Sequence, residues 1–202
     1  MADKVLEFFF DVGSPATYLA WTQLPALAAG EGAQLVHRPM LLGGVFKATG
    51  NVSPVTVPAK GAYTLKDFAR FARRYGVPLR HNPFFPINTL LLMRAIAGAQ
   101  LHMPQRFLAL SGLIFDAIWV QGLDMNDPGV VGAVLERGGF VAQDVLALAQ
   151  DAQAKEALRH NTEEAVRRGA FGAPTFFVGD EMFFGQDRLD FVARALRTST
   201  AA

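Results

Sequence analysis

Cysteine is absent from this chain of 202 residues. Without thiols the protein can form neither a disulfide nor a thiolate metal site, and it has no sulfur nucleophile of its own. The four histidines, His37, His81, His102 and His160, lie singly and far apart, without the close spacing of a helical metal site. We therefore expect no bound metal, and any sulfur chemistry has to arrive with a cofactor.

The sequence has almost no excess of positive or negative charge, and its apolar runs are short. The 19 basic and 18 acidic residues give a net charge of +1, and no basic cluster offers a surface for nucleic acid or an anionic membrane. The longest uncharged apolar helix candidate, Phe107 to Phe115, is far shorter than the ~20 residues that span a bilayer. Near the N-terminus, Asp3, Lys4 and Glu7 interrupt any signal-like apolar core. We expect a soluble, cytoplasmic protein that binds neither nucleic acid nor membrane.

Apolar residues, in contrast, make up 51% of the chain, enough for one domain or for a small domain that carries an insertion. A strongly apolar run from Val5 to Phe10 predicts a buried strand, and Gly13 breaks the pattern just before an apolar helical repeat begins. Ser14 stands at the expected N-cap of that helix and Pro15 at its first position. This stretch predicts a strand, a tight turn and a helix that ends near Gly30 to Gly32.

The Ser14 hydroxyl has two interpretations. At a helix N-terminus it lies beside unpaired backbone N–H groups and the positive end of the helix dipole, where an anion can be held. Capping the helix is the usual reason for a serine in this position, and it is the alternative. Spacing alone does not decide between them.

The rest of the chain divides into a second strand, an irregular loop, a helical middle and a final strand pair with a helix. The second strand, Gln34 to Arg38, makes a βαβ unit with the first, which favours parallel pairing. Glycines and prolines predict an irregular loop from Leu41 to Pro58, for which function and poor order are both open. The predicted helices cover about 65–75, 88–97, 107–119, 127–135 and 144–158, with a further short helix capped by Asn161 and Glu164. The last strands are Phe171 to Val178 and Glu181 to Phe184 around a Gly179-Asp180 turn, and a helix follows Gly185.

The order β-α-β, a large helical insertion, then β-β-α is the thioredoxin arrangement, and five ordered segments match one branch of it. They are Phe-Asp-Val-Gly-Ser-Pro-Ala-Thr-Tyr-Leu-Ala at 10–20, Asn-Thr-Leu-Leu-Leu-Met-Arg at 88–94, Ile-Trp-Val-Gln-Gly-Leu-Asp-Met-Asn-Asp-Pro at 118–128, Phe-Gly-Ala-Pro-Thr-Phe-Phe-Val-Gly-Asp at 171–180 and Phe-Phe-Gly-Gln-Asp-Arg-Leu at 183–189. The chain resembles the 2-hydroxychromene-2-carboxylate isomerases and the kappa-class glutathione transferases, relatives of the DsbA-like disulfide oxidoreductases. The resemblance implies an α/β, thioredoxin-like fold with a large all-helical insertion between its halves. Residues 1–40 and 165–202 would form the thioredoxin-like domain, and 41–164 the connecting loop and helical insertion.

By this resemblance Ser14 occupies the place of the oxidoreductases' reactive cysteine and Thr17 that of their second one. A Ser-x-x-Thr pair cannot form or transfer a disulfide, so disulfide exchange is excluded and glutathione is the implied cofactor.

A free thiol titrates near pH ~8.5. A charge-assisted hydrogen bond from Ser14 supplies roughly 1.5 to 3 kcal/mol, and each ~1.36 kcal/mol lowers the pKa by about one unit. Our hypothesis is that Ser14 stabilises the thiolate of bound glutathione and is not a covalent nucleophile.

Further glutathione contacts are implied by the same match. Pro174 corresponds to the family's cis-proline, beside which the backbone of Ala173 would pair with the cysteinyl part of glutathione. The turn that holds the γ-glutamyl end is matched by Gly185, Gln186, Asp187 and Arg188. There the helix start would present N–H groups to a carboxylate, and Asp187 would pair with the amino group. Without the family, Asp187 reads equally as an acid in the first turn of a helix.

The acceptor of the thiolate is the aromatic substrate. The resemblance assigns its binding to Lys47, Asn51 and Val52, which match loop positions that face the substrate in the isomerases. Lys47 could offer its charge to a carboxylate. Phe85 could wall an apolar pocket, or it could belong to the core.

The resemblance implies a homodimeric, glutathione-dependent isomerase that acts on a small aromatic carboxylate in naphthalene or related aromatic degradation. It would interconvert 2-hydroxychromene-2-carboxylate and trans-o-hydroxybenzylidenepyruvate, or a close analogue, through transient addition of the glutathione thiolate. The first alternative is a kappa-like glutathione transferase that conjugates small electrophiles. The second is a non-enzymatic thioredoxin-fold binding module, against which the complete Gly185-Gln186-Asp187 turn argues.

Overall fold

The computed structural model describes residues 4–198. Its strands are β1 (Lys4–Phe10), β2 (Ala33–Pro39), β3 (Thr175–Val178) and β4 (Glu181–Phe184). Its α-helices are α1 (Pro15–Glu31), α2 (Leu42–Thr49), α3 (Pro58–Tyr75), α4 (Leu90–His102), α5 (Phe107–Asp116), α6 (Pro128–Arg137), α7 (Ala142–Leu148), α8 (Ala152–Arg167) and α9 (Leu189–Thr198). Short 3₁₀ turns precede α3, α5 and α9, and a π-helix, Ala117–Gln121, extends α5.

The sheet has the strand order β2-β1-β3-β4, with β1 parallel to β2 and antiparallel to β3. Side chains alternate along β1, so that Phe8 packs into the larger core and Phe9 into a smaller core on the opposite face. Phe8 lies opposite Phe176 in the register, and their rings stack with centroids 5.5 Å apart. The central strands β1 and β3 are therefore buried on both faces. The predicted β-α-β and β-β-α halves with helices between them are confirmed.

The first helix begins and ends where the sequence predicts. Ser14 is its N-cap, Pro15 its first residue, and Gly32 closes it in the left-handed conformation. Gly76 ends α3 in the same way. These ends depend on neighbouring residues alone, which explains why the sequence locates them.

The irregular loop predicted from Leu41 to Pro58 is wrong, because most of it is helical. Helix α2 occupies Leu42–Thr49, and α3 begins at Pro58. Gly50 does end α2 in the left-handed conformation, but Gly44 lies inside the helix and serves its packing. A Cβ at Gly44 would lie 3.1 Å from Cγ2 of Thr162, so glycine lets α2 approach α8 closely.

Three further boundaries differ from the prediction. The helix expected over 144–158 is interrupted between α7 and α8, where the Asp151 side chain accepts a hydrogen bond of 2.9 Å from the N–H of Ala154 and caps α8. Asn161 starts no helix: it lies inside α8, and its side chain donates to the carbonyl of Pro39 at 3.1 Å. The strand predicted from Phe171 begins only at Thr175, after Pro174. Between residues 4 and 198, every helix is too short or too polar to cross a bilayer.

Candidate active site

Ser14 lies at the start of α1 and is buried, with 6% of its surface exposed. Its Oγ accepts a hydrogen bond of 3.2 Å from the N–H of Thr17, so the capping interpretation is confirmed. The hydroxyl donates in turn to the carbonyl of Ala173 at 3.1 Å, which is long for a hydroxyl donor, since such bonds cluster near ~2.7 Å. A charged acceptor placed beside Ser14 could therefore compete for this proton at small cost.

The loop before β3 and the turn after β4 meet beside Ser14. The Ala173-Pro174 peptide bond is cis, and the carbonyl of Pro174 accepts a hydrogen bond of 3.0 Å from the N–H of Gly185. Gly185 has a φ of +99°, and a Cβ there would stand 2.6 Å from Oδ1 of Asp187. The positive φ requires glycine at 185, and the absent Cβ leaves room for the Asp187 carboxylate. The chain of contacts from Ser14 through Ala173 and Pro174 to Gly185 brings the sequence-predicted glutathione residues to one end of the sheet.

The turn that begins at Gly185 is held from a second direction by Tyr75 of α3. The Tyr75 hydroxyl donates to the carbonyl of buried Gln186 at 2.5 Å. Burial raises the pKa of Tyr75, so the phenol keeps its proton and remains a donor. Asp187 pairs with the neighbouring Arg188 at 2.8 Å, and both side chains are partly exposed. A pair of this kind is weakly held, so the Asp187 carboxylate can exchange partners. Apart from its place in a predicted helix, nothing in the sequence pattern indicated a role for Tyr75.

The predicted acceptor residues fall into two groups. Lys47 is exposed on α2, and Asn51 follows that helix and donates to the carbonyl of Phe171 at 2.8 Å. Val52 beside it is 60% exposed. Asn51 therefore reaches the loop that carries Ala173. The contacts do not join Phe85 to that group; its ring packs against Trp119, with centroids 6.0 Å apart.

Asp11, to which the sequence patterns assign no role, is fully buried directly after β1. Its carboxylate accepts hydrogen bonds from the N–H of Gly13 at 2.8 Å, the N–H of Leu42 at 2.8 Å and the hydroxyl of Thr89 at 3.0 Å. Burial raises the pKa of Asp11, and the three donors partly offset that rise. The available signal was an acid directly after three apolar strand positions, Phe8 to Phe10, and immediately before the turn.

Among the described residues, the site has no side chains for disulfide exchange or metal binding. Thr17, which the resemblance matches to a second cysteine, is fully buried, and its hydroxyl has no hydrogen-bond partner within the described part of the chain. Among residues 4–198, no group of three histidine or carboxylate side chains could hold a metal ion. The site thus offers a capping hydroxyl and a helix start to an anion.

A cavity of about 810 Å³ lies elsewhere, between α2, α4 and α8. Leu41, Leu90, Leu158 and Val166 form its apolar floor, and charged residues of α8 form its rim. None of the residues described above around Ser14 and Gly185 lines it. The candidate site is therefore identified by its polar contacts and not by cavity size.

A family model described as a DSBA-like thioredoxin domain matches residues 5–197. The chain belongs to this family. Among its relatives, the 2-hydroxychromene-2-carboxylate isomerase of Sphingobium xenophagum is 31% identical over 191 residues, which cover 94% of this chain and 96% of that protein. The glutathione S-transferase kappa 1 of Rattus norvegicus is 30% identical over 207 residues, which cover 96% and 92%. A solved structure of a 2-hydroxychromene-2-carboxylate isomerase matches with a TM-score of 0.82 at 28% identity, over 95% of this chain and 94% of that one.

These matches confirm the resemblance and the thioredoxin-like fold of this DSBA-like protein. They extend over nearly the full length of both partners, so the helical insertion is shared along with the sheet. The two relatives named are enzymes, an isomerase and a transferase. The family thus includes catalysts built on the same arrangement of strands and helices.

Proposed function

We propose that this protein is a glutathione-dependent isomerase that interconverts 2-hydroxychromene-2-carboxylate and trans-o-hydroxybenzylidenepyruvate, or a close analogue, in aromatic degradation. The observation that carries the proposal is the contact between Ser14 Oγ and the Ala173 carbonyl. It joins the start of α1 to the cis-proline loop in a chain without cysteine.

The residues present fit glutathione at this end of the sheet. Ser14 supplies a hydroxyl donor at a helix start, which favours a negatively charged sulfur. Gly185 leaves a space beside Asp187 that a Cβ would fill, and Asp187 is an acid for an amino group. The turn from Gly185 to Arg188 opens α9, whose first N–H groups suit a carboxylate.

Bound glutathione would supply a thiolate that adds reversibly to a conjugated carbon of the ring-opened substrate, so that a double bond becomes a single bond and can rotate. The protein's part is to favour the charged sulfur and to orient the acceptor. Ser14 does the first by turning its proton from Ala173 toward the sulfur. Lys47, exposed on α2, does the second by pairing with the substrate carboxylate. Asn51 keeps the chain after α2 attached to the Phe171 carbonyl at 2.8 Å.

Mass balance tests the proposal. The protein is incubated with substoichiometric glutathione and 2-hydroxychromene-2-carboxylate, and both the substrate absorbance and the free thiol are followed. Isomerisation predicts many turnovers with the thiol fully recovered. One thiol lost per product molecule would contradict it.

The relatives also favour a second candidate, a kappa-like transferase, since an isomerase and a transferase match this chain at 31% and 30% identity. It would use the same Ser14 hydroxyl but release a stable conjugate. A parallel assay with a chlorinated aromatic electrophile separates the two, because only the transferase consumes glutathione. Glutathione binding without turnover of either compound would instead indicate a binding module. We also propose a cytoplasmic homodimer. Analytical ultracentrifugation of the purified protein tests the dimer, and fractionation of cells tests the location.

A further inference from the structure

Three helix starts converge on the carboxylate of Asp11. Helices α2 and α4 have Leu41 and Thr89 as their N-cap residues, and neither N-cap side chain bonds the N–H groups of its own helix. Asp11 Oδ2 lies between these two starts, 2.8 Å from the N–H of Leu42 and 3.0 Å from the Thr89 hydroxyl. The third start is that of α1, which follows Asp11 in the chain.

The other oxygen of Asp11 holds the loop that leads into α1. Oδ1 accepts the N–H of Gly13 at 2.8 Å, and the backbone carbonyl of Asp11 accepts the N–H of Ser14 at 3.2 Å. Gly13 also lies directly against α4, because a Cβ there would stand 2.8 Å from Cγ2 of Thr89. One side chain therefore fixes the loop before Ser14 against the starts of two other helices.

We propose that Asp11 is a positioning residue that holds Ser14 and the start of α2, the helix that carries Lys47, at one fixed spacing. This inference rests on the proposed function, in which Ser14 faces the glutathione sulfur and Lys47 faces the acceptor. Asp11 then sets the geometry in which sulfur and acceptor meet, without touching either.

A carboxylate suits this position better than any neutral side chain. An ionised carboxylate only accepts hydrogen bonds, and the three groups that bond it, two backbone N–H groups and the Thr89 hydroxyl, all donate. The positive ends of the helix dipoles also favour a negative charge there. An asparagine would turn one acceptor into an NH₂ group that faces a donor, leaving a buried N–H unpaired.

The contacts separate the effect of Asp11 on the acceptor from any effect on glutathione affinity. The γ-glutamyl end is assigned to the turn from Gly185 to Arg188, which is held by Pro174 and Tyr75. Asp11 contacts none of these residues through its carboxylate. Loss of Asp11 should therefore misplace the acceptor while most of the glutathione contacts remain.

The experiment measures two quantities on full-length variants below their unfolding transition: the glutathione dissociation constant by calorimetry, and kcat/KM for 2-hydroxychromene-2-carboxylate at saturating glutathione. Asp11→Asn changes the carboxylate itself. Thr89→Val removes a single donor to Oδ2 at almost constant shape, whereas Thr89→Ser keeps the hydroxyl. The Thr89 pair decides the matter if Asp11→Asn does not fold.

We expect kcat/KM to fall about thirtyfold in Asp11→Asn and about fivefold in Thr89→Val, because small misplacements of reacting groups are costly. Thr89→Ser should stay within about twofold, and the glutathione dissociation constant within about threefold, in every variant. An unchanged kcat/KM in Thr89→Val and Asp11→Asn, or a glutathione affinity that falls in step with kcat/KM, overturns the positioning role. If the unaltered protein neither binds glutathione nor turns over the substrate, the proposed function fails and this inference fails with it.

Discussion

The indole N–H of Trp119 donates a hydrogen bond of 2.7 Å to the carbonyl of Val12, between two residues that are buried and 107 positions apart. Trp119 lies on the π-helix after α5, and such π segments are frequent at functional sites. Asn82 supports that segment by donating to the carbonyls of Ile118 at 3.0 Å and Leu123 at 2.9 Å. The helical insertion thus holds the backbone just before Ser14.

Replacing Trp119 with phenylalanine should destabilise the protein. The ring volume is largely kept, but the Val12 carbonyl loses its donor in a buried position, which costs about 1 to 3 kcal/mol. Urea unfolding monitored by circular dichroism measures the change. Trp21→Phe is the matched control, since Trp21 packs among aromatic rings and is only partly buried. An equal loss in both variants would show that the ring matters and the hydrogen bond does not.

Ser14→Ala should raise the pKa of the glutathione thiol in the complex by about 1 to 2 units, as expected for the loss of one charge-assisted hydrogen bond. The thiolate absorbance of the complex, titrated with pH, measures this change. The variant should also lose about 1 kcal/mol of stability with its helix cap.

Asp127→Ala separates these two effects of Ser14. Asp127 caps α6 and accepts the N–H of Gly129 at 2.7 Å. Its loss should therefore cost similar stability and leave the thiol pKa unchanged. A thiol pKa that is the same in Ser14→Ala and the unaltered protein would rule out the assigned role of Ser14.

The sequence predicted what neighbouring residues determine. The Ser14-Pro15 helix start and the Gly32 helix end follow from local backbone preferences, and the structure shows both. Partners distant in sequence were not predictable. Gly44 was misread as a helix breaker because Thr162, the residue it packs against, is 118 positions away in the chain.

The residues of the candidate site show the same contrast between what the sequence predicts and what depends on distant partners. The matching segments placed Ser14, Ala173 and Gly185 in one site, and the contacts bring them together. Asp11 and Tyr75 were missed because their partners come from other helices: Leu42 bonds Asp11, and Gln186 accepts from Tyr75. A polar group is stable in a buried position only when it has hydrogen-bond partners, and a single sequence does not show which residues those are.

Thr17→Val should stabilise the protein by about 1 kcal/mol, because it replaces a buried hydroxyl that has no partner among residues 4–198 with a methyl group of the same size. Thermal unfolding followed by calorimetry tests this change. Thr175→Val provides the opposite case at equal burial. The Thr175 hydroxyl donates to the carbonyl of Gly172 at 2.8 Å, so its loss should destabilise by about 1 kcal/mol. Destabilisation by both substitutions would mean that Thr17 has a partner after all.

His37 should make the protein sensitive to acid. Its imidazole packs against the rings of Trp21 and Phe107, and burial lowers the pKa of His37 to about 4. An unfolded chain protonates histidine near pH ~6.5, so the native state binds fewer protons than the unfolded state between these values. The stability that His37 contributes is complete above pH ~6.5 and is lost as the pH falls toward 4, by about 2 to 3 kcal/mol at most.

Urea unfolding at pH 7.5, 5.5 and 4.5 measures this acid sensitivity. His37→Phe keeps an aromatic ring in the cluster and removes the titrating group, so its stability should decline less with acid than that of the unaltered protein. His81→Gln is the control, because His81 is exposed and its removal should leave the decline as it was. The difference between these two variants isolates the imidazole of His37 from the carboxylates that also titrate in this range. If His37→Phe loses as much stability toward acid as His81→Gln does, the neutral, partly buried imidazole of His37 is not what makes the fold acid-sensitive.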